Sequence, residues 1–403
     1  MSQSAEPSQT TAPHPLDFVS LGKIVQIRER LLIAQAAGKR VYRFESGDPS
    51  FTPAAHIAEG VVAAMYAGKT HYIPNNGIPE LRDALAEKVR TKNGIPNVAS
   101  KDIFVTNGAM HGLFVTFGAL LTHGDEVIIP DPMWTEVAEN IRLAGGVPVG
   151  VRLSAQDDFA YRVEDIEAAV TARTKAIFIN TPHNPTGAVL SRDELQAIYD
   201  LAKRLDLWIV SDEAYEDLIF APNEHVSIGS IADPDDTRII SLYSFSKSHA
   251  MPGLRVGYVV TRAAVLQDRI PKLLRCTING VNSLAQWGAL AAVQGNQAST
   301  SAMRDEYKLR RDIMITALRY IPGVRPFVPK GSFFIWAELD PSVYSRLEVA
   351  DADALSASLA DDGIGSAPGD AFGPSYPDAL RFSFSCDTAM VREGSLKLRE
   401  ALL

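Results

Sequence analysis

The chain has 403 residues, 46% of them hydrophobic and 22% charged, which is enough for a full core and for two domains. A formal net charge of −9 argues against a nucleic-acid-binding protein, and the two cysteines, Cys276 and Cys386, form neither a disulfide framework nor a zinc motif. The histidines show no metal-ligand spacing, so no metal is expected. No apolar run approaches bilayer length, so a cytoplasmic enzyme without a membrane partner is expected.

The chain opens with a polar stretch that differs from the rest. Residues 1–15 are rich in Ser, Thr, Pro and Gln and lack both basic residues and an apolar core, which predicts a disordered tail and not a signal peptide. The segment 16–47 is predicted to be helical and then extended. It precedes the large sheet, so we expect it to join the smaller domain.

Short apolar runs alternate with helical patterns over residues 48–299, the predicted large domain. Apolar runs without strict polar alternation are typical of strands buried on both faces. The helical stretch Ser191–Leu205 opens with Ser191 and Glu194 in the spacing of a capping box. The alternation predicts an α/β fold with a doubly wound, mostly parallel sheet. The seven candidate strands are Ile103–Thr106, Glu126–Pro130, Val147–Arg152, Lys175–Asn180, Leu207–Ser211, Arg238–Tyr243 and Arg255–Val260.

The pattern changes near residue 300, and residues 300–403 predict a smaller α+β domain. We expect a long charged helix, an aromatic strand, a second helix and a short strand. In chain order these are Asp305–Tyr320, Gly331–Leu339, Ala350–Asp362 and Leu380–Ser385.

The segment from Ser244 to Tyr258 is the most informative of the chain. Lys247 stands among small polar residues directly after a candidate strand, and Arg255 follows eight residues later. A lysine can form a Schiff base with an aldehyde cofactor, while hydroxyls and an arginine can hold a phosphate, as pyridoxal phosphate (PLP) requires. The alternative is a polar loop with a solvated lysine.

Polar residues also follow three other candidate strands: Asn107-Gly108-Ala109, Asn180 to Gly187, and Asp212 to Tyr215. Ligands of doubly wound sheets bind at the carboxyl ends of the strands. Scattered polar residues would not be expected to collect at strand ends by chance, so this convergence favours a PLP site.

An ordered set of motifs carries a resemblance to a known family. From about Leu21 onward, the chain resembles the class I aminotransferases of the aspartate aminotransferase fold type, in their bacterial branch. The resemblance implies PLP fold type I, amino-group exchange between an L-amino acid and a 2-oxo acid by a ping-pong mechanism, and a homodimer with shared active sites. The motifs are Gly47-Asp48-Pro49, His71-Tyr72, Asn107-Gly108-Ala109, Asn184-Pro185-Thr186-Gly187, Ser211-Asp212-Glu213-Ala214-Tyr215, the Lys247 segment and Leu380-Arg381-Phe382-Ser383.

The resemblance also implies the catalytic residues. Lys247 resembles the lysine that tethers PLP and then acts as general acid and base. Asp212 resembles the carboxylate that pairs with the pyridinium nitrogen, although a helix N-cap is the alternative. Tyr215 and Asn184 resemble the pair that binds the phenolic oxygen, and Asn184-Pro185 can be a tight turn as well.

The same resemblance implies a phosphate-binding site, the phosphate cup, at the start of a helix whose free N–H groups face the phosphate. Close packing of helix on sheet is the alternative for its Gly-Ala pair. Tyr72 resembles a ligand that the neighbouring subunit supplies, or it is a core or interface aromatic. Trp134 resembles the aromatic that stacks on the cofactor ring, or it packs in the core. The other cofactor-binding candidates are Gly108, Ala109, Met110, Ser244, Ser246 and Arg255.

Substrate binding is assigned by the resemblance to three residues. Arg381 resembles the arginine that binds the α-carboxylate, with a surface salt bridge as the alternative. Gly47 would let the backbone approach that carboxylate closely, and Asn184 is the third substrate-binding candidate. Met110 departs from the family pattern, because much of the aspartate aminotransferase branch has a lysine there.

The departure at Met110 predicts a broad or non-aspartate donor. The loop Cys276 to Gln286 also lacks an arginine that could clamp a second carboxylate. Three segments, among them Gly369 to Pro374, resemble relatives acting on other amino acids, including arginine:pyruvate transaminases. The alternatives are an aspartate aminotransferase or another fold type I PLP enzyme, such as a carbon–sulfur lyase. A PLP-sensing regulator would need an appended DNA-binding domain, for which the tail leaves no room.

Overall fold

The structure is a computed structural model that describes residues 15–19 and 22–403, without the side chains of residues 15 and 18. The predicted tail lies outside the described residues apart from Pro15, which begins a short 3₁₀ helix that ends at Phe18. Within the described ranges, none of the helices combines the length and apolarity needed to cross a bilayer.

The larger sheet has seven strands in the order β1-β7-β6-β5-β4-β2-β3. All neighbours run parallel except β7, which is antiparallel to both β1 and β6. The predicted mostly parallel, doubly wound sheet is confirmed. The strands are β1 (Ile103–Thr106), β2 (Glu126–Asp131), β3 (Val147–Arg152), β4 (Thr174–Asn180), β5 (Trp208–Asp212), β6 (Ile239–Ser244) and β7 (Gly257–Thr261).

Helices cover both faces of this sheet. Ile177 and Ile209 belong to one apolar cluster, while their neighbours Phe178 and Val210 belong to another on the opposite face. The helices are α1 (Lys23–Ala36), α2 (Ala55–Tyr66), α3 (Pro79–Thr91), α4 (Gly108–Leu120), α5 (Thr135–Leu143), α6 (Val163–Ala168), α7 (Arg192–Arg204), α8 (Phe245–Ser248), α9 (Ala264–Thr277), α10 (Ser283–Gln294), α11 (Ala298–Leu318), α12 (Pro341–Leu347), α13 (Ala352–Asp361) and α14 (Thr388–Leu402). Ser191 and Glu194 form the predicted capping box at the start of α7.

A second, smaller sheet follows α11. Its strands run antiparallel in the order β10-β11-β9-β8. Helix α1 packs on this part of the chain, since Ile27 and Leu31 contact Ala360 and Lys23 donates to Asp370 at 2.6 Å. The predicted boundaries after residues 47 and 299 stay predictions. The strands are β8 (Val324–Pro326), β9 (Phe334–Leu339), β10 (Ala367–Pro368) and β11 (Ala379–Ser383).

The topology of the larger sheet brings several loops to one edge. Asn180 and Asp212 are register partners at the carboxyl ends of β4 and β5. Gly257, the first residue of β7, pairs with Thr106 at the end of β1 and with Ser244 at the end of β6. Because β7 runs opposite to its neighbours, the residues that precede it lie beside those that follow β1 and β6.

Candidate active site

A cavity of about 450 Å³ lies at this edge of the larger sheet, within the roughly 300–1,000 Å³ typical of small-molecule sites. The structure brings most of the predicted site residues to its wall. Gly108 lies directly beside it, whereas Tyr72 lies elsewhere. The lining residues that the sequence had named are Gly47, Ala109, Met110, Trp134, Asn184, Asp212, Tyr215, Ser244, Ser246, Lys247, Arg255 and Arg381.

Lys247 stands in the four-residue helix α8, which Ser244 caps by accepting a hydrogen bond from the N–H of Ser246. Its Nζ donates to the carbonyl oxygen of Gly47 at 2.6 Å. Burial lowers the pKa of the Lys247 amine to about 8, with nearby Arg381 and Arg255 adding to the effect. The neutral fraction near neutral pH is therefore much larger than for an ordinary lysine, which makes the amine usable as a nucleophile and as a base.

Asp212 ends β5 and is buried. One carboxylate oxygen accepts from the N–H of Ala214 at 3.0 Å, so the side chain also caps the turn that follows. Burial raises the pKa of the Asp212 carboxyl to about 6, although Lys247 nearby favours the charged form. Near neutral pH the group is therefore mainly a carboxylate, which can stabilise a cationic ring nitrogen.

Asn184 and Tyr215 face the same cavity from two different loops. The N–H of Asn184 donates to Oδ1 of Asn180 at 2.8 Å, which fixes the turn after β4. The Tyr215 ring packs edge-on against Phe333 and Phe334, and burial raises the pKa of its hydroxyl above the usual value. Tyr215 is therefore a neutral hydrogen-bond donor at physiological pH.

The start of α4 and the start of β7 together form a concave group of donors. Gly108 has φ +77°, and a Cβ there would lie 2.6 Å from Nη2 of Arg255. Arg255 itself has φ +55° and donates to the carbonyl oxygen of Pro252 at 2.8 Å. A side chain on Gly257 would lie 2.7 Å from the N–H nitrogen of Ala109. The backbone is thus close-packed around a helix N-terminus and a guanidinium, an arrangement suited to a phosphate.

Arg381 lies on the central part of β11 and is buried. It donates from Nη1 to Oδ1 of Asn184 at 3.1 Å and from Nη2 to the carbonyl oxygen of Glu45 at 2.6 Å. Its Nε has no hydrogen-bond partner among the described residues, and Cζ of the guanidinium lies 4.2 Å from the centre of the Phe334 ring. Burial lowers the pKa of Arg381 to about 10, which still leaves a full positive charge at neutral pH. A buried cation with a free donor suits a carboxylate.

Helix α5 supplies the wall beside Met110. Trp134 immediately precedes the helix and is partly buried. Nδ2 of Asn140 lies 3.5 Å from the Met110 sulfur and donates to the Glu136 carbonyl oxygen at 2.7 Å. Glu136, which the sequence analysis did not name, also lines the cavity. The only sequence signal for it is a carboxylate two residues after Trp134.

Tyr72 is the predicted site residue that lies apart from the cavity. Its side chain is 93% exposed in the single chain. The role predicted for Tyr72 is in the active site of the neighbouring subunit, and that role stays a prediction.

The cavity fits PLP in the chemistry of its donors. A buried lysine amine, a buried carboxylate and a helix N-terminus beside a guanidinium lie at one sheet edge. The first would hold the aldehyde carbon, the second the ring nitrogen and the third the phosphate. The assignment of these roles to Lys247, Asp212 and Arg255 stays a prediction.

The family model of class I and II aminotransferases matches residues 39–396. The chain belongs to this family. A probable aspartate/prephenate aminotransferase of Aquifex aeolicus is 36% identical over 370 residues, which cover 91% of this chain and 92% of that protein. An arginine–pyruvate transaminase of Pseudomonas aeruginosa is 34% identical over 372 residues, which cover 92% of each chain.

The fold of this aminotransferase is likewise close to that of a solved structure. The aspartate aminotransferase from Thermus thermophilus with maleate superimposes with a TM-score of 0.90 at 30% identity, covering 98% of this chain and 100% of that one. The predicted family and fold type are confirmed. Class I aminotransferases of this fold use PLP, so the predicted cofactor is confirmed at the level of the family.

Proposed function

We propose that this aminotransferase transfers the amino group of an L-amino acid other than aspartate to a 2-oxo acid, in two half-reactions at the cavity described above. The observation that carries the proposal is the presence of Lys247 and Arg381 in one cavity. One provides an amine of lowered pKa, and the other provides a buried cation for an α-carboxylate.

When bound, PLP supplies an aldehyde that reacts with the substrate amine and a ring that accepts electron density from the substrate Cα. The Lys247 amine moves the proton at that Cα. With a pKa of about 8, roughly a tenth of the amine is neutral at pH 7. Arg381 fixes the substrate by its α-carboxylate, so that the Cα proton lies within reach of the amine.

The remaining residues hold the cofactor in place. Asp212 would pair with the ring nitrogen, and Asn184 and Tyr215 would form hydrogen bonds with the phenolic oxygen. Gly108, Ala109, Ser244, Ser246 and Arg255 would hold the phosphate. Trp134 would pack on the ring, and Gly47 leaves room next to the substrate carboxylate.

A donor other than aspartate is supported by Met110. A second carboxylate in a closed site needs a cationic partner, because an unpaired buried charge is costly. The Met110 sulfur instead faces the Asn140 amide. Some of the relatives are aspartate aminotransferases by name, and this chain has Met110 at the position where the family resemblance implies a lysine.

The test of the proposed function is a panel of amino acids added one at a time to the PLP-loaded protein. Conversion of the bound cofactor to its amine form, followed by its return with pyruvate or 2-oxoglutarate, is the expected result. Release of ammonia and a sulfur compound from a cysteine-type substrate, without that conversion, would contradict it in favour of a carbon–sulfur lyase. A dominant preference for aspartate would contradict the donor assignment alone.

We further propose a cytoplasmic homodimer with shared active sites. Support comes from a row of exposed apolar side chains on α2, which a second copy could cover. Val62 is 52%, Met65 54% and Tyr66 89% exposed, and Tyr72 follows shortly after. Such a row is unusual for a free helix face. Sedimentation of the PLP-loaded protein as an active monomer would contradict the proposal.

A further inference from the structure

Building on the proposed aminotransferase function, we infer that this cavity selects an amino acid donor whose side chain ends in a cation, with Glu136 as the residue that recognises the cation. The class of substrate is thus an amino acid with a guanidinium or a second ammonium group, such as arginine or lysine.

Glu136 is an acid in the cavity wall that forms no ion pair among the described residues, although the Thr135 side chain and its own N–H interact with it. It lies in the first turn of α5 and lines the same cavity as Lys247 and Arg381. Its Oε2 is buried and has no hydrogen-bond partner in the part of the chain that the structure describes. Burial raises the pKa of the Glu136 carboxyl, while the charge of Arg381 acts in the opposite direction. A buried carboxylate oxygen without a donor is costly, so a cationic ligand that reaches it gains more than a neutral one.

The other acids of the cavity already serve a different group. Asp212 accepts a hydrogen bond from Ala214, and Oε1 of Glu45 accepts from Nε of Arg43 at 2.5 Å. Oε2 of Glu45 has no hydrogen-bond partner among the described residues, but it lies against Gly365. Asp48 acts on Lys247, whose pKa it raises against the effect of burial. Glu136 is therefore the acid of this cavity that combines a buried oxygen with the lack of an ion pair among the described residues, since Glu45 is paired with Arg43 and Asp48 is exposed.

Among the described residues that line the cavity, every buried arginine already has a partner or an assigned role, so none is left to bind a second substrate carboxylate. Arg381 holds Asn184 and is assigned to the α-carboxylate, Arg255 holds Pro252, and Arg43 is paired with Glu45. Arg28 lines the cavity too, but it stands on the exposed face of α1. A dicarboxylate would therefore depend on Arg28, whereas a basic side chain has a buried acid to meet.

The wall that leads to Glu136 suits the methylene groups of a long basic side chain. Met110 is flexible and apolar, and its sulfur lies 3.5 Å from Nδ2 of Asn140 on the same helix as Glu136. Met110 and Glu136 line one cavity, so this wall offers both an apolar contact for methylene groups and a carboxylate for the cation of arginine or lysine.

The test compares the wild type with Glu136→Gln and with the matched control Glu139→Gln. Glu139 lies one turn later on α5 and pairs with Arg142 at 3.0 Å, outside the cavity. The measurement is the second-order rate constant for conversion of the bound cofactor by arginine, lysine, methionine and aspartate. PLP affinity and circular dichroism of each variant establish that the fold is retained.

We expect the wild type to favour arginine and lysine over methionine by at least about tenfold. Glu136→Gln should lower the rate constants for both basic substrates about ten- to a hundredfold and should change that for methionine by less than about threefold. Glu139→Gln should leave the rate constants for all four amino acids unchanged. Met110→Lys keeps Glu136 and places a cation in the same cavity, so it should also lower the rate constant for arginine and should raise that for aspartate.

Equal rates for arginine and methionine in the wild type, or an unchanged arginine rate in Glu136→Gln, would overturn the inference and leave the aminotransferase function standing. Aspartate preferred over arginine, with the preference lost in Arg28→Gln, would overturn it in favour of Arg28 as a clamp for a second carboxylate. Reaction with none of the amino acids would overturn the proposed function together with the inference.

Discussion

Replacing Lys247 by methionine is expected to stabilise the cofactor-free chain at neutral pH, although it removes the predicted catalytic amine. Burial lowers the pKa of Lys247 from 10.5 to about 8. Since one pKa unit corresponds to about 1.4 kcal/mol, the protonated side chain costs the folded state about 3 kcal/mol. This is an upper value, because the amine lines an open cavity that water can enter.

The hydrogen bond from Nζ of Lys247 to the Gly47 carbonyl opposes this gain. Methionine cannot donate, and a carbonyl left without a partner costs about 1–2 kcal/mol. The net stabilisation expected near pH 7 is therefore about 1–2 kcal/mol.

The sign of the effect depends on pH. The pKa of Lys247 is lower in the folded state than in the unfolded state. Titration of this amine therefore does not destabilise the wild type above pH 10.5, and the wild type loses stability as the pH falls from 10.5 to about 8. At the alkaline end only the lost hydrogen bond separates the two proteins, so Lys247→Met should be slightly less stable than the wild type there.

The assay is urea unfolding of the cofactor-free proteins, followed by circular dichroism near pH 7 and near pH 10.5 at one protein concentration. Lys308→Met, a change of an exposed lysine on α11, is the control and should show no such pH-dependent difference. A Lys247→Met protein less stable than the wild type near pH 7, or a stability difference that does not vary with pH, would refute the burial cost assigned to the amine.

Three further predictions concern the cofactor and the substrate. Arg381→Lys should lower kcat/KM for every amino acid about 10²–10³-fold without weakening PLP, because lysine cannot replace a bidentate fork; a near-normal kcat/KM would contradict the α-carboxylate role. Gly108→Ala should weaken PLP in titrations but not pyridoxal, which lacks the phosphate, because the new methyl group would lie 2.6 Å from Arg255; equal losses for both ligands would contradict the cup. Tyr72→Phe should weaken PLP by about 1 kcal/mol for one lost hydrogen bond, and unchanged affinity would remove Tyr72 from the site.

The strands of the larger sheet could be predicted closely because each is a short apolar run between turn signals. All seven lie within two residues of their predicted bounds. The largest shift is at β7, predicted to start at Arg255 and found to start at Gly257. The cause is the left-handed conformation of Arg255, with φ +55°, which interrupts extended pairing and which an apolar pattern does not reveal.

The second half of the chain shows where local patterns are weaker. Helix α11 was predicted from Asp305 but begins at Ala298, because its first turn is rich in Ser and Thr, which carry little helical signal. Thr300 in that turn donates to the Ser248 carbonyl oxygen, a tertiary contact. Strand β9 was predicted from Gly331 but begins at Phe334, after Ser332 at φ +59°.

The members of the cavity could be predicted wherever a residue type fits one chemical task at a strand end. Lys247, Asp212 and Arg255 are of this kind, and they do lie in one cavity. Glu136 could not be predicted, because its significance lies in a buried oxygen without a partner, and that is a property of packing. Its sequence context is an ordinary acidic first turn of a helix.

The position of β7 has a consequence for how this protein matures. Strand β7, which joins β1 to β6, is the last of the seven to leave the ribosome. A nascent chain can therefore build a sheet of five strands and still hold β1 apart from it. Gly108, Ser244 and Arg255 come together only when Gly257 inserts between Thr106 and Ser244. The chain therefore gains affinity for phosphate in one late step, when β7 pairs. Cofactor present during synthesis can stabilise only chains whose sheet is complete.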